Sequence, residues 1–147
     1  MYTKKEKGDI GLAEAIACLV KNGIYVSIPM SEHLKYDIIG EKNGVCKRIQ
    51  VRFTTPKING VMEVKIRSVW SNKKGSHVLK RNIGDFDILA VYCPQNNKTY
   101  FIDDVAFNNA TSINLRLREN AADNNSKSRW AEDFENCIKL WSVGREA

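Results

Sequence analysis

The chain has 147 residues, 43% of them hydrophobic and 27% charged, with 23 Lys and Arg against 17 Asp and Glu and a formal net charge of +6. One domain of this size buries roughly 68–70% of the surface its unfolded form exposes, and the composition excludes collagen, low-complexity arrays and wholesale disorder. Cys18, Cys46, Cys93 and Cys137 form no C-x-x-C pair, which argues against a zinc knuckle or a secreted disulfide scaffold, and no stretch approaches the ~18 apolar residues of a membrane span.

Ile10, Ala13, Ile16, Ala17, Leu19 and Val20 recur near a 3.6-residue period, which predicts a helix over residues 8–22 closed by Gly23. Ile24 to Ile28 is β-branched and stops at Pro29, as a short strand does. Asn43-Gly44 separates two strand-like runs, 36–39 and 45–53, and this dipeptide is a strong hairpin signal because a type I′ turn needs positive φ at both central residues. Val61 to Val69 alternates apolar and polar residues, which predicts a third strand of the same antiparallel meander.

The polar run 71–76 reads as a mobile loop. Asp87 to Cys93 is almost continuously apolar, the pattern of a central strand buried on both faces, and residues 99–102 supply another strand. Residues 108–127, rich in Asn and Ser, predict an irregular excursion. From Ser128 as N-cap, Trp130, Phe134, Cys137, Ile138 and Trp141 fall at helical spacing, which predicts a C-terminal helix. The order gives an α/β (α+β) fold, a mixed sheet flanked by helices, with residues 1–147 forming a single domain in a cytoplasmic protein with no membrane partner.

Charge is unevenly placed: residues 1–81 hold 16 basic and 7 acidic side chains, residues 82–147 hold 7 and 10. A basic first half suits a polyanion partner. If Asn43 and Gly44 are the turn, cross-strand partners sum to 87, so Asp37 faces Gln50 and Arg52 shares that side of the strand. A carboxylate, a carboxamide and a guanidinium clustered this way suit a hard divalent cation beside a phosphate. His33 and His77 have no ligand spacing. Trp70, between Arg67 and Lys73-Lys74, interleaves an aromatic ring with cations, which suits a ribbon reaching a nucleic-acid groove.

The segments Lys7-Gly8-Asp9-Ile10-Gly11, Tyr25-Val26-Ser27-Ile28-Pro29, Tyr36-Asp37-Ile38-Ile39, Ile49-Gln50-Val51-Arg52, 85–92 and 99–102 together resemble the PD-(D/E)XK nuclease superfamily. More narrowly, they are similar to small intron-encoded bacterial homing endonucleases with the restriction-endonuclease-like core. Holliday-junction resolvases share that pattern. The resemblance covers residues 7–105 and implies a sequence-specific nuclease that cuts double-stranded DNA, uses Mg²⁺ or another divalent cation, and works as a dimer or tetramer.

The resemblance also implies roles. Asp37 falls at the metal-binding aspartate, Gln50 at the second, usually acidic, ligand, and the Val51 carbonyl at a further ligand. Arg52 falls at the lysine that positions or deprotonates water, and a guanidinium is too basic to accept that proton near neutral pH. The helix glutamate common in the family falls on Leu12, and Glu14 is turned about 200° away on a helix of 100° per residue. Catalytic roles thus map onto Asp37, Gln50, Arg52 and Leu12, with DNA contacts expected from Lys57, Lys65, Arg67, Trp70, Asn72, Lys73 and Lys74. The two departures imply a weak enzyme, an inactivated chain, or a DNA-binding module that keeps the fold without its chemistry.

Overall fold

The structure, a computed structural model, describes residues 1–65, 68–72, 75–79, 85–107, 111–117 and 129–142. It opens with helix α1 (Lys4–Lys21), which starts four residues earlier than the apolar period indicates. The cause is a capping box: the Thr3 side chain accepts from the Glu6 N–H and the Glu6 carboxylate accepts from the Thr3 N–H, satisfying two orphan donors of the first turn.

Strands β1 (Tyr25–Ser27), β2 (Ile38–Lys42), β3 (Val45–Phe53), β7 (Ile88–Cys93) and β8 (Lys98–Asp103) form one five-stranded sheet in the order β1-β2-β3-β7-β8. All neighbours are antiparallel except β3 and β7, which run parallel. Asn43 and Gly44 have φ of 53° and 79°, the left-handed pair a type I′ turn requires. Between β3 and β7 the chain makes β4 (Val61–Lys65), β5 (Ser68–Asn72) and β6 (Gly75–Leu79). The later part adds β9 (Ser112–Arg116), β10 (Arg129–Trp130), a 3₁₀ turn (Ala131–Phe134) and helix α2 (Lys139–Ser142).

Four expectations are corrected. The run 61–69 is two strands, and β4 leaves the meander to pair with β9 in a separate three-stranded sheet, β10-β9-β4. Alternation was the right signal for a strand but says nothing about its partner. The expected loop at 71–76 falls on a hairpin in which Asn72 pairs with Gly75. Residues 112–116 of the expected irregular excursion are strand β9. The C-terminal helix shrinks to α2, because residues 129–130 pair in parallel with Leu115 and Arg116 instead; Ser128 lies outside the described residues.

Two cores explain the layering. On one face of the large sheet Ala15 and Leu19 of α1 pack with Ile24, Ile38, Ile49, Ile88, Ala90, Phe101, Leu140 and Trp141. On the other, Leu89, Val91, Cys93, Tyr100 and Ile102 meet Met62 and Val64 of β4 and Ile113 and Leu115 of β9. Among the described residues α1 and α2 therefore cover one face, and the small sheet covers the other. Strand β7, buried at all six positions, feeds both cores, as its unbroken apolar run requires. Among the described residues no helix is long and apolar enough to cross a membrane, and the four cysteines are free thiols.

Candidate active site

The site grows from the parity of β3. The Asp87 N–H donates to the Arg48 carbonyl at 2.9 Å and the Thr54 N–H to the Tyr92 carbonyl at 2.9 Å, so the even-numbered backbone groups of β3 serve the parallel ladder with β7. The odd-numbered groups, those of Ile49, Val51 and Phe53, consequently face the β2 side. Side chains alternate across the sheet as well. Val51 and Phe53 meet α1 at Gly11, while Arg48, Gln50 and Arg52 project toward the small sheet, where the Arg52 Nε–H donates to the Lys65 carbonyl at 3.3 Å.

The register sums to 87 from Lys42↔Val45 through Ile38↔Ile49, and at Asp37 it shifts. The Asp37 N–H donates to the Ile49 carbonyl at 2.8 Å, and its Oδ2 accepts the Val51 N–H at 2.7 Å. A short carboxylate has replaced the next backbone partner of Val51. Asp37 thus stands just past the end of the β2–β3 ladder, beside Val51 and not squarely opposite Gln50. The Val51 carbonyl, on the same side of the strand as its N–H, faces this edge too. Burial lowers the Arg52 pKa, and the Asp37 charge opposes that shift, so the guanidinium lies within electrostatic reach of the carboxylate.

These donors fit a hard cation of modest affinity. Among the described residues no three His, Cys, Asp or Glu side chains converge, which rules out an all-carboxylate cage there. One carboxylate, one carbonyl and one carboxamide, completed by water, is the kind of set Mg²⁺ accepts, since it sheds water reluctantly and uses one or two carboxylates.

The helix residues fall elsewhere. Leu12 packs against the core shared by α1 and the large sheet. Glu14 lines a cleft of about 400 Å³ with Cys18, Lys21, Asn97, Lys98 and Glu135, at the β8 edge, across the sheet from Asp37. Of the residues expected at DNA, Lys57 is exposed and 3.6 Å from Glu63, and Lys65 is exposed at the end of β4. Trp70 and Asn72 stand on β5; Arg67, Lys73 and Lys74 lie outside the described residues.

The sequence reading overlooked a second polar group on this face. Arg48 donates from its main-chain N–H and its Nε–H to Asp87 Oδ2 at 2.8 and 3.3 Å, and from Nη2 to Oδ1 at 3.2 Å. Its guanidinium carbon lies 5.9 Å from the centre of the Tyr36 ring. The hydrogen bonds that Arg48 donates to Asp87 raise the Arg48 pKa. For Asp87, burial pushes the carboxyl up, and the bonds from Arg48 outweigh it to leave a lowered pKa. The signal was available: Arg48 shares its parity with Gln50 and Arg52.

No curated protein sequence matches the chain. The solved structure of a bacterial homing endonuclease, I-Ssp6803I, is similar over 99% of this chain and 100% of that one, with a TM-score of 0.78 and 22% identity, a likeness of fold. The profile described as PD-(D/E)XK endonuclease matches residues 2–137, a span that contains α1, the whole large sheet and the Asp37 edge. The chain belongs to the PD-(D/E)XK endonuclease family.

Proposed function

We propose that this endonuclease is a sequence-specific, Mg²⁺-dependent enzyme that cuts double-stranded DNA, with residues 1–147 acting as one catalytic domain and a dimer or tetramer needed to cut both strands. The carrying observation is the Asp37 carboxylate seated on the Val51 N–H at 2.7 Å, with the Val51 carbonyl turned to the same edge. Asp37, the Val51 carbonyl and the Gln50 carboxamide oxygen would hold the cation. When bound, such an ion activates water and stabilises charge on a phosphate. Arg52 supplies a fixed positive charge to the scissile phosphate, and Lys57, Lys65, Arg67, Trp70, Asn72, Lys73 and Lys74 supply contacts to DNA. The similarity to a homing endonuclease supports a long, specific target.

A second reading, a DNA-binding module that has lost its chemistry, is favoured by two observations. Leu12 is committed to the core, and Arg52 is tied to the Lys65 carbonyl. Incubating the chain with a randomised duplex library with and without Mg²⁺ separates the readings. Mg²⁺-dependent cuts at a recurring sequence that vanish with Asp37→Asn support the enzyme, and retention of one sequence without cutting supports the module. Weakened retention at higher salt checks the phosphate contacts in either case.

A further inference from the structure

Asp37 lies outside the β2–β3 ladder, so regular strand pairing does not place its carboxylate. Two hydrogen bonds to β3 hold it, through its N–H to Ile49 and its Oδ2 to Val51. The residues before it, Met30 to Lys35, are exposed and belong to no strand or helix. The anchored residue on that side is Tyr36, partly buried against the core beneath the small sheet, with the Arg48 guanidinium over its ring. The guanidinium is itself held from behind. Asp87 receives three hydrogen bonds from Arg48 and returns one from its own N–H to the Arg48 carbonyl, and its carbonyl accepts the Asp104 N–H at 2.9 Å.

We propose that Arg48 is a positioning residue for the Asp37 site: clamped by Asp87, it holds its guanidinium over the Tyr36 ring and so helps fix the neighbouring carboxylate against Val51. The proposal deepens the reading of Asp37 as a cation ligand and rests on it for its functional consequence. A cation over an aromatic face is attracted by the negative charge of the ring's face, and more strongly as water is excluded. Arg48 acts on a residue one position from the ligand, as outer partners of metal ligands do, and losing such partners costs about 10–100-fold in affinity. The planar fork that grips Asp87 while holding the charge 5.9 Å from the Tyr36 ring centre is a property of guanidinium, which lysine reproduces only in charge.

Two readouts on the full-length chain test this. The first needs no metal: hydrogen exchange of the Val51 amide, whose acceptor is the Asp37 carboxylate, against the Gln50 and Arg52 amides, which face β7. Arg48→Met and Tyr36→Leu should each speed Val51 exchange about tenfold while Gln50 and Arg52 keep their protection, and Tyr36→Phe, which keeps the ring, should not. Arg48→Lys should fall between. The second readout is Mn²⁺ affinity from the electron paramagnetic resonance of the free ion. Arg48→Met and Tyr36→Leu should each weaken binding about tenfold, and the double variant no further, because both remove one contact.

Unchanged Val51 exchange in Arg48→Met, or a uniform loss across β3 as a merely structural role would give, overturns the proposal. Additive losses in the double variant overturn it as well. If Arg48→Met does not fold, Tyr36→Leu and Arg48→Lys carry the same comparison. Mn²⁺ binding that is indifferent to Asp37→Asn sinks the metal reading by itself, and the Val51 amide still decides whether Arg48 positions Asp37.

Discussion

Strand β3 shows two regions of the molecule on opposite sides of one backbone. From residue 48 on, its odd-numbered side chains, Ile49, Val51 and Phe53, face α1 in an apolar contact. Over the same stretch its even-numbered side chains, Arg48, Gln50 and Arg52, are all polar and each is only partly buried. The apolar side is set by shape: a Cβ added at Gly40 of β2 would come within 2.8 Å of the Trp141 ring and 3.1 Å of Ile24 and Ile49. The polar side is set by a few directed bonds. The apolar face should therefore respond to volume and be indifferent to charge, and the polar face the reverse.

The largest expected effect comes from the two departures from the family pattern, Arg52 on the polar face and Leu12 on α1. Leu12→Glu with Arg52→Lys restores the family pattern, and Mg²⁺-dependent cleavage should rise by about 10²–10⁴-fold, the contribution of general acid–base help. The burial that lowers Arg52 would also lower a lysine there, toward a pKa at which an amine accepts a proton. An unchanged rate in the double variant would show that neither departure limits cleavage.

The next effect belongs to the apolar face. Gly40→Ala should destabilise the fold by about 1–3 kcal/mol, as overpacking does, measured by chemical denaturation. Gly40→Ala combined with Trp141→Phe, which narrows the ring but loses the Nε1–H bond to the Val45 carbonyl at 3.1 Å, should recover part of that loss. Neither change should alter the salt dependence of DNA binding, and if either does, the two faces are not separable.

A smaller effect should come from acid. The Asp87 carboxyl is lowered in the folded state from its ordinary 3.8, so the stability it contributes is complete above that value and fades as pH falls through the folded pKa. The difference in melting temperature between the unaltered chain and Asp87→Asn should be widest at pH 7 and close in stronger acid. With each partner 38% exposed, the contribution stays within about 1 kcal/mol. A difference that grows with acid would contradict the assigned Arg48–Asp87 pair.

The smallest effect has the opposite sign. An added Cβ at Gly11 would sit 3.5 Å from Phe53 and 3.6 Å from Val51, ordinary contact distances. Gly11→Ala should thus stabilise α1 by roughly 0.5–1 kcal/mol. A loss instead would show that helix and strand leave no room for a methyl group here.

The contrast also explains what was legible in the sequence. Periods of 3.6 and 2, the Asn43-Gly44 turn and the unbroken apolar run at 88–93 located α1, the β2–β3 hairpin and β7, because each is a local signal backed by burial. Partners were not legible. Nothing within 61–69 says that β4 pairs with β9, and Trp130 and Phe134 sit at helical spacing although residues 129–130 join a sheet. At the site, turn arithmetic brought Asp37 beside β3 and aligned Gln50 with Arg52. The one-residue shift at Asp37 escaped it, since that shift depends on a side chain replacing a backbone acceptor. Arg48 and Asp87, 39 positions apart, escaped it because only the parallel β3–β7 pairing unites them.

That parallel pairing sets an order of assembly. The β2–β3 hairpin closes over two residues, and hairpins form in about 1–10 μs. Joining β3 to β7 must first span the chain from residue 54 to residue 87, and longer closures demand more entropy before any contact rewards them. The bond from Val51 to the Asp37 carboxylate lies wholly within the early hairpin, whereas Arg48 meets Asp87 only after the long closure. Substitution of Gly44 should therefore slow folding, and substitution of Asp87 should mainly hasten unfolding. During refolding, the carboxylate reaches its seat on Val51 before the residues that brace it arrive.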